Sequence, residues 1–325
     1  MVANVCSVFA DTGTYWVNTT IEKFNKRLTI KTETIMGKQK RSENTYQKIN
    51  TLYKRDINNI IMQHYDWVAP EFEYLRKCEW DATEKIDGTN MRIEVEQTPI
   101  WAFDMNEPAE PGMVPSKLVG VEFNVTIKGK TDNAKIPAHL DKYMKETFTE
   151  DKVFAALGIE KRIPIEKWAE HGWCVSKDDA TPVYEKIPTL YTIYGEGYGA
   201  KIQACGGRYL SNSVAFIGFD VKVNDTYLLR DNALTVFEKL GCQTVPYHGR
   251  MTIDEAIDKV RSGFISAISE DRTFVAEGLV LVSPIGLCNR RGERLVVKIK
   301  TADFVKYRAK YGTDDKVEQI PNPSL

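Results

Sequence analysis

Glu84-Lys85-Ile86-Asp87-Gly88-Thr89-Asn90 sets a lone lysine two residues ahead of an Asp-Gly turn, with strand-like sequence on both sides. Upstream lies Trp80-Asp81-Ala82-Thr83; downstream, Met91-Arg92-Ile93-Glu94-Val95 alternates apolar and polar, the period-2 mark of a half-buried strand. A lysine fixed at such a turn becomes a nucleophile if its surroundings keep it uncharged. The bland reading is a plain hairpin with Lys85 solvated at its rim, and three fixed positions alone do not exclude it.

Partners for such a lysine follow in order. Tyr191-Thr192-Ile193-Tyr194-Gly195-Glu196-Gly197 ends a strand on a glycine-flanked acid, and Phe216-Ile217-Gly218-Phe219-Asp220-Val221 sets an aromatic beside an acid. Ala276-Glu277-Gly278 leads into Leu279-Val280-Leu281-Val282, and Leu295-Val296-Val297-Lys298-Ile299-Lys300 closes the series. Alternation puts Lys298 and Lys300 on one strand face, where two like charges imply an anion between them. Singly, each has an ordinary explanation: Glu196 a loop acid, Phe216 or Phe219 core aromatics, Glu277 a turn acid, the lysine pair a solvated face. Those explanations would have to coincide in order along one chain.

This ordered set, from about Trp80 to Lys300, resembles the covalent nucleotidyltransferase superfamily of polynucleotide ligases and mRNA capping enzymes. Asn90, two residues past Gly88, gives a Lys-x-x-Gly-x-Asn pattern similar to the phage RNA ligase 2 family, where DNA ligases and capping enzymes usually carry arginine. Thr126-Ile127-Lys128-Gly129-Lys130-Thr131-Asp132 resembles that family's basic-Thr segment, with Lys130 where arginine is usual, which weakens a bidentate phosphate contact. Arg92, on the strand face of Asn90, is available to supply the guanidinium.

The resemblance implies an ATP-dependent RNA ligase joining 5′-phosphate and 3′-hydroxyl ends through a lysine–AMP intermediate and an adenylylated 5′ end. It makes Lys85 the nucleophile, with Glu277, Lys298 and Lys300 completing the catalytic set. Nucleotide contacts are expected from Glu84, Ile86, Asn90, Lys130, Glu196 (ribose hydroxyls), Phe219 (stacking on the base, with Phe216 the alternative), Lys298 and Lys300. A divalent metal, Mg2+ or Mn2+, falls to Glu277 and Asp220. Partners are RNA ends, nicked, splinted or single-stranded. The alternatives are a minimal DNA ligase and a non-catalytic nucleic-acid-binding protein retaining the fold; GTP in place of ATP stays open.

Composition bounds the rest. The 325 residues are 42% hydrophobic and 27% charged, a globular mixture, and a formal net charge of −1 leaves nucleic-acid binding to a local basic groove. No apolar run is long enough for a membrane span and no signal segment opens the chain. Six scattered cysteines (Cys6, Cys78, Cys174, Cys205, Cys242, Cys288) and four isolated histidines (His64, His139, His171, His248) make no zinc-ligand spacing and suggest reduced thiols and a cytoplasmic setting; a monomer is expected. No dinucleotide or phosphate-loop fingerprint is present.

The expected class is α+β, a nucleotidyltransferase (ATP-grasp-like) fold of antiparallel sheets flanked by helices. Residues 1–75 read as an extension packing on or accessory to the core, 76–305 as the catalytic domain with a helical insertion at about 138–188, and 306–325 as a tail. Within the extension, Tyr46 to Arg55 mixes aromatic and basic residues, fitting either a nucleic-acid groove or an amphipathic segment packed on the domain. Glu107 to Pro115 is a Pro/Glu-rich loop. Helical spacing covers Leu140, Tyr143, Met144 and Thr147, runs to about Leu157 and returns around Ile165 to Glu170. Asp231 to Leu240 reads as a helix closed by Gly241, and Thr252-Ile253-Asp254-Glu255 as a capping box opening a helix with Ile253, Ile257, Val260 and Phe264 as its buried stripe. Only about two dozen residues follow Lys300. DNA ligases and capping enzymes place an oligonucleotide-binding barrel there and the RNA ligase 2 family a helical domain, so substrate grip is expected from the extension, the insertion, a partner or the catalytic domain alone.

Overall fold

Lys85 to Gly88 does not turn a hairpin. It carries the chain from one sheet to another, because β2 (Trp80–Glu84) and β3 (Thr89–Phe103) belong to different sheets. The computed structural model describes residues 45–62, 64–103, 106, 116–164 and 190–312, all but Thr45 within the unit that begins at Tyr46. The lysine- and threonine-rich start, the Glu107–Pro115 loop, the helical spacing around Ile165 to Glu170 and the last residues of the tail lie outside these.

One sheet has five strands in the order β1 (Asn50–Thr51), β12 (Val296–Lys300), β11 (Gly278–Val282), β2, β10 (Tyr247–Met251). The other runs β5 (Arg162–Pro164), β4 (Ser116–Gly129), β3, β6 (Tyr191–Gly199), β7 (Val214–Val223), β8 (Thr226–Tyr227), with β9 (Gln243–Thr244) added alongside β7. Pairing is antiparallel, as the sequence leads one to expect, except at the two-residue strands β1 and β9, which run parallel to β12 and β7. With its helices this is an α+β architecture.

Alternation sorts each strand's two faces. Along β11 and β12, Leu279, Leu281, Val297 and Ile299 are buried with Trp80 and Ala82 of β2, beneath Ile253, Ala256, Ile257 and Val260 of α6 (Ile253–Ser262) and Phe304 and Tyr307 of α7 (Thr301–Tyr311). Val280, Val282, Lys298 and Lys300, the intervening residues, stay partly open on the opposite face. Truncating such a core leucine to alanine costs about 2–5 kcal/mol. Leu52, Tyr53, Ile61, Tyr65 and Phe72 join the same core, so the part of the Tyr46–Arg55 stretch seen here packs on the domain.

The second core lies under β3, β4, β6 and β7. Met91, Ile93, Val95, Ile193, Phe216 and Val221 meet Leu140 and Met144 of α2 (Ala138–Thr147), Val153 and Phe154 of α3 (Glu150–Leu157) and Phe237 and Leu240 of α5 (Arg230–Leu240). The helices expected as an insertion thus cover this sheet. Two shorter helices, α1 (Pro70–Tyr74) and α4 (Gly206–Tyr209), complete the set among the described residues.

Local chemistry explains the helix ends. Gly241 closes α5 at φ 67°, a left-handed conformation that favours glycine. Thr252 and Glu255 form the reciprocal capping box at α6, worth about 1 kcal/mol. Phe264 is a correction: α6 ends at Ser262, so Phe264 lies beyond its stripe, half-buried, and Ala256 takes that place on the buried face.

Candidate active site

Where the chain leaves β2, the backbone fixes Lys85: its N–H donates to the carbonyl of Gly278 at 2.9 Å, and the N–H of Asp87 donates to the Tyr209 hydroxyl at 3.1 Å. Lys85 Nζ then reaches Glu277 Oε2 at 2.5 Å and the carbonyl of Ile86 at 3.3 Å. The other carboxylate oxygen, Glu277 Oε1, accepts from Lys300 Nζ at 2.6 Å. One carboxylate therefore bridges two lysines that sequence places 215 residues apart, counted from 85 to 300.

Gly278 makes the bridge possible. It pairs with Lys300 across the sheet at φ 147°, and a Cβ there would lie 1.9 Å from the carbonyl oxygen of Ile299. Only glycine lets the strand approach so closely, which sets the preceding Glu277 between Lys85 and Lys300. Lys298, one face-repeat before Lys300, is pushed down to about 8, first by burial and then by the charges of Lys85 and Lys300.

The opposite sheet supplies Glu196. Asn90 and Glu196 are direct neighbours across β3 and β6, and both line a cavity that Lys85 and Ile86 also wall. Burial pushes the Glu196 carboxyl up to about 8; the charges of Glu277 and Asp87 add to this, and that of Lys85 opposes it. Asp87 is raised too, by burial and then by Glu277. The glycines flanking Glu196 press their own sheet face inward: a Cβ on Gly195 would strike the Phe216 ring at 2.2 Å, and one on Gly197 the Leu140 side chain at 2.5 Å.

Phe216 and Phe219 separate cleanly. Phe216 is buried in the core, whereas Phe219 lines the cavity. The pairing of β6 with β7 shifts there: Tyr194 faces Asp220 and Gly195 faces Gly218, leaving Phe219 as the extra residue of a bulge. A bulge breaks alternation, so the adjacent Phe219 and Asp220 both line the cavity. Val280 and Val282 of the other sheet add apolar wall.

Several expected nucleotide or metal contacts are otherwise engaged. Glu84 is buried, its two oxygens accepting from Ser266 Oγ at 2.5 Å and the Ala267 N–H at 2.9 Å, although it still lines the cavity. Arg92, offered as a replacement guanidinium, is a correction: it is fully buried, paired with Glu94 and Asp132 and donating to the carbonyls of Gly129 and Lys130. The Lys130 side chain is exposed, and Lys130 is not part of the cavity wall. Asp220 is held by Arg294 and accepts from the Tyr46 hydroxyl at 2.7 Å, so both of its oxygens already have donors. Among the described residues no three His, Cys, Asp or Glu side chains converge as a metal-binding group.

Sequence reasoning missed Arg294 and Tyr46, which line the cavity and close on Asp220, and it left Asp87 as a mere turn residue. Tyr46 meets Phe219 edge-on with ring centroids 5.0 Å apart, and the Arg294 guanidinium lies 4.0 Å over the Tyr227 ring. No local pattern signals such contacts, since Tyr46 and Asp220 are 174 residues apart. No helix among the described residues is long and apolar enough to cross a membrane.

Solved structures of Naegleria gruberi RNA ligase are similar to this chain. A lysine-to-alanine variant with ATP and Mn aligns at TM-score 0.44 and 12% identity, covering 80% of this chain and 63% of that one. A glutamate-to-alanine variant with ATP and Mn gives 0.45 and 12%, over 82% and 58%, and a third variant, with AMP and Mn, gives 0.44 and 13%, over 81% and 61%. The chain thus spans less than two thirds of the length of these structures. No curated protein sequence matches it. Residues 78–300, more than half of the chain, match the RNA ligase family model, and the chain belongs to that family.

Proposed function

We propose that this chain is an ATP-dependent RNA ligase, built on a nucleotidyltransferase (ATP-grasp-like) catalytic domain from about residue 76. The observation that carries the reading is the Lys85–Glu277–Lys300 bridge at a cavity holding Phe219 and Glu196. ATP enters with its base against Phe219, facing the wall that Val280 and Val282 provide. Glu196 takes the ribose hydroxyls; with a carboxyl titrating at about 8, it can accept or donate a hydrogen bond at neutral pH.

Lys85 Nζ attacks the α-phosphorus; the N–P bond forms and the bond to the pyrophosphate oxygen breaks. Attack needs the free amine, and the nearest acceptor for its proton is Glu277 Oε2 at 2.5 Å. The positive charges of Lys298 and Lys300 favour loss of that proton and stabilise charge developing on the phosphate. AMP then passes to the RNA 5′-phosphate, and the 3′-hydroxyl attacks that phosphorus and releases AMP. The oxygen donors suit a hard divalent cation: Glu277 would hold Mg2+ or Mn2+, with Asp87 the next carboxyl, since magnesium binds through one or two carboxylates plus waters and phosphates. Such an ion supplies charge neutralisation at the phosphates. Asp220, 9% exposed and closed on Arg294 and Tyr46, serves the wall, which leaves Glu277, 16% exposed, as the more open carboxylate for the metal. RNA ends are the substrate, acting on a monomer in a reducing cytoplasm.

Incubation with magnesium and α-labelled ATP or GTP, followed by a denaturing gel, tests this with Lys85→Ala alongside. Label from ATP on the wild type and none on the variant is expected. Label from neither nucleotide would leave a binding protein that has kept the fold. Side-by-side sealing of RNA and DNA nicks checks the substrate.

A further inference from the structure

The connection between β11 and β12 does more than join two strands. Its base walls the nucleotide cavity through Ser283, Pro284, Gly286 and Arg294, and Arg294 ties it to Asp220 on the other sheet. Its tip is tightly ordered by short-range bonds. Asn289 Oδ1 accepts from the N–H groups of Arg291 at 2.8 Å and Glu293 at 3.0 Å, Asn289 Nδ2 donates to the Glu293 carboxylate at 2.8 Å, and Cys288 bridges Arg294. Gly292 takes φ 78° to close the turn. Arg290 and Arg291 stand exposed at the tip, and the acid of the same turn, Glu293, is already bonded to Asn289.

Two exposed arginines without an ion pair among the described residues, on a hydrogen-bonded turn whose base lines the nucleotide cavity, are an arrangement that self-repulsion disfavours unless an anion is met. Arginine's planar fork suits phosphate, and a preordered tip loses little entropy on binding it. ATP's own phosphates already have Lys298 and Lys300. The same end of the domain carries exposed Lys48, whose neighbour Gln47 donates to the carbonyl of Arg294 at 3.1 Å. Exposed Ile285 at 74% adds an apolar contact of the kind a base or ribose face accepts.

We infer that the 283–294 hairpin is an RNA-docking element in which Arg290 and Arg291 grip backbone phosphates next to the end being joined. This rests on the ligase reading above. It places substrate grip on the catalytic domain itself, in a chain whose net charge of −1 provides no general attraction for RNA.

The test compares wild type with R290A/R291A and R290K/R291K in two assays. Filter binding of a short 5′-phosphorylated single-stranded RNA is measured across salt, and lysine labelling from ATP is measured without RNA. The expected result is normal labelling with RNA affinity down about tenfold for the alanine pair, and a salt slope smaller by roughly 1.4. The lysine pair should recover the slope but not the full affinity, because it restores charge without the fork. Unchanged RNA affinity and slope in R290A/R291A would overturn the assignment. So would a raised KM for ATP with RNA binding intact, which would give the arginines to the nucleotide. If the wild type takes up no label, the ligase reading fails, while the RNA-binding comparison still decides the arginines.

Discussion

Glu196→Gln separates the electrostatic account of the site from a merely steric one. Water would hold this carboxyl at its ordinary 4.5, whereas the fold holds it up to about 8, chiefly by burial. At about 1.4 kcal/mol for each pH unit, ionising it in the nucleotide-free fold costs an upper bound of about 5 kcal/mol. The side chain is only part-buried and the cavity is open to water, so we expect roughly 2 kcal/mol to be realised. Between pH 4.5 and 8 the folded protein binds more protons than the unfolded chain, so this group's contribution to stability falls as pH rises and is lowest above 8. Glutamine keeps the shape and never ionises. In metal-free buffer, Glu196→Gln should therefore match the wild type near pH 4 and exceed its Tm by about 3 °C at pH 9. Thermal unfolding across that pH range is the assay. An equal Tm difference at both ends would refute the reasoning, because shape alone has no pH dependence.

Other expectations follow from single contacts. Gly278→Ala drives a Cβ against the carbonyl of Ile299; any protein that still folds should show lysine labelling slowed at least about 100-fold, as Glu277 shifts off Lys85. Asp220→Ala leaves the guanidinium of Arg294, 10% exposed, without its partner and should destabilise by about 3 kcal/mol in denaturant unfolding, with Asp220→Ala/Arg294→Met recovering part of that loss. Lys298, titrating at about 8, should lose its charge above that pH, so ATP affinity of the wild type should fall relative to Lys298→Arg by up to about tenfold between pH 7 and 9, read by titration calorimetry.

Short-range periodicity and caps were legible in the chain because their causes are local. The face shared by Lys298 and Lys300, the left-handed Gly241 and the Thr252 box each depend on residues within a few positions. What escaped depends on pairing across the fold. The bulge at Phe219 comes from a register shift against β6, and without it Phe219 and Asp220 would face opposite ways. Arg92 reads in sequence as a strand-face cation beside Asn90, yet it is buried because Glu94, Asp132 and two carbonyls of the β4 end satisfy it. Phe264 followed the helical spacing but sat one turn too late, past a helix that ends at Ser262.

The pKa directions at the site run against each other in an informative way. Glu196 is held up to about 8 and Lys298 down to about 8, so burial disfavours both charges before any nucleotide arrives. Between them, Glu277 accepts from Lys85 and Lys300 on its two oxygens. A bound triphosphate reverses each imbalance: its anionic charge favours the charged form of Lys298, and its ribose hydroxyls solvate the Glu196 carboxylate. It also competes with Glu277 for the lysines, which loosens the Lys85–Glu277–Lys300 bridge as the α-phosphorus comes within reach of Lys85. Substrate binding and nucleophile release are thus one electrostatic event. On that account, Glu277→Gln should bind ATP at least as tightly as the wild type while its lysine labelling is slowed, since the amide neither competes for Lys300 nor accepts the Lys85 proton. Weaker ATP binding by Glu277→Gln in metal-free buffer would show that the carboxylate does not compete with the nucleotide.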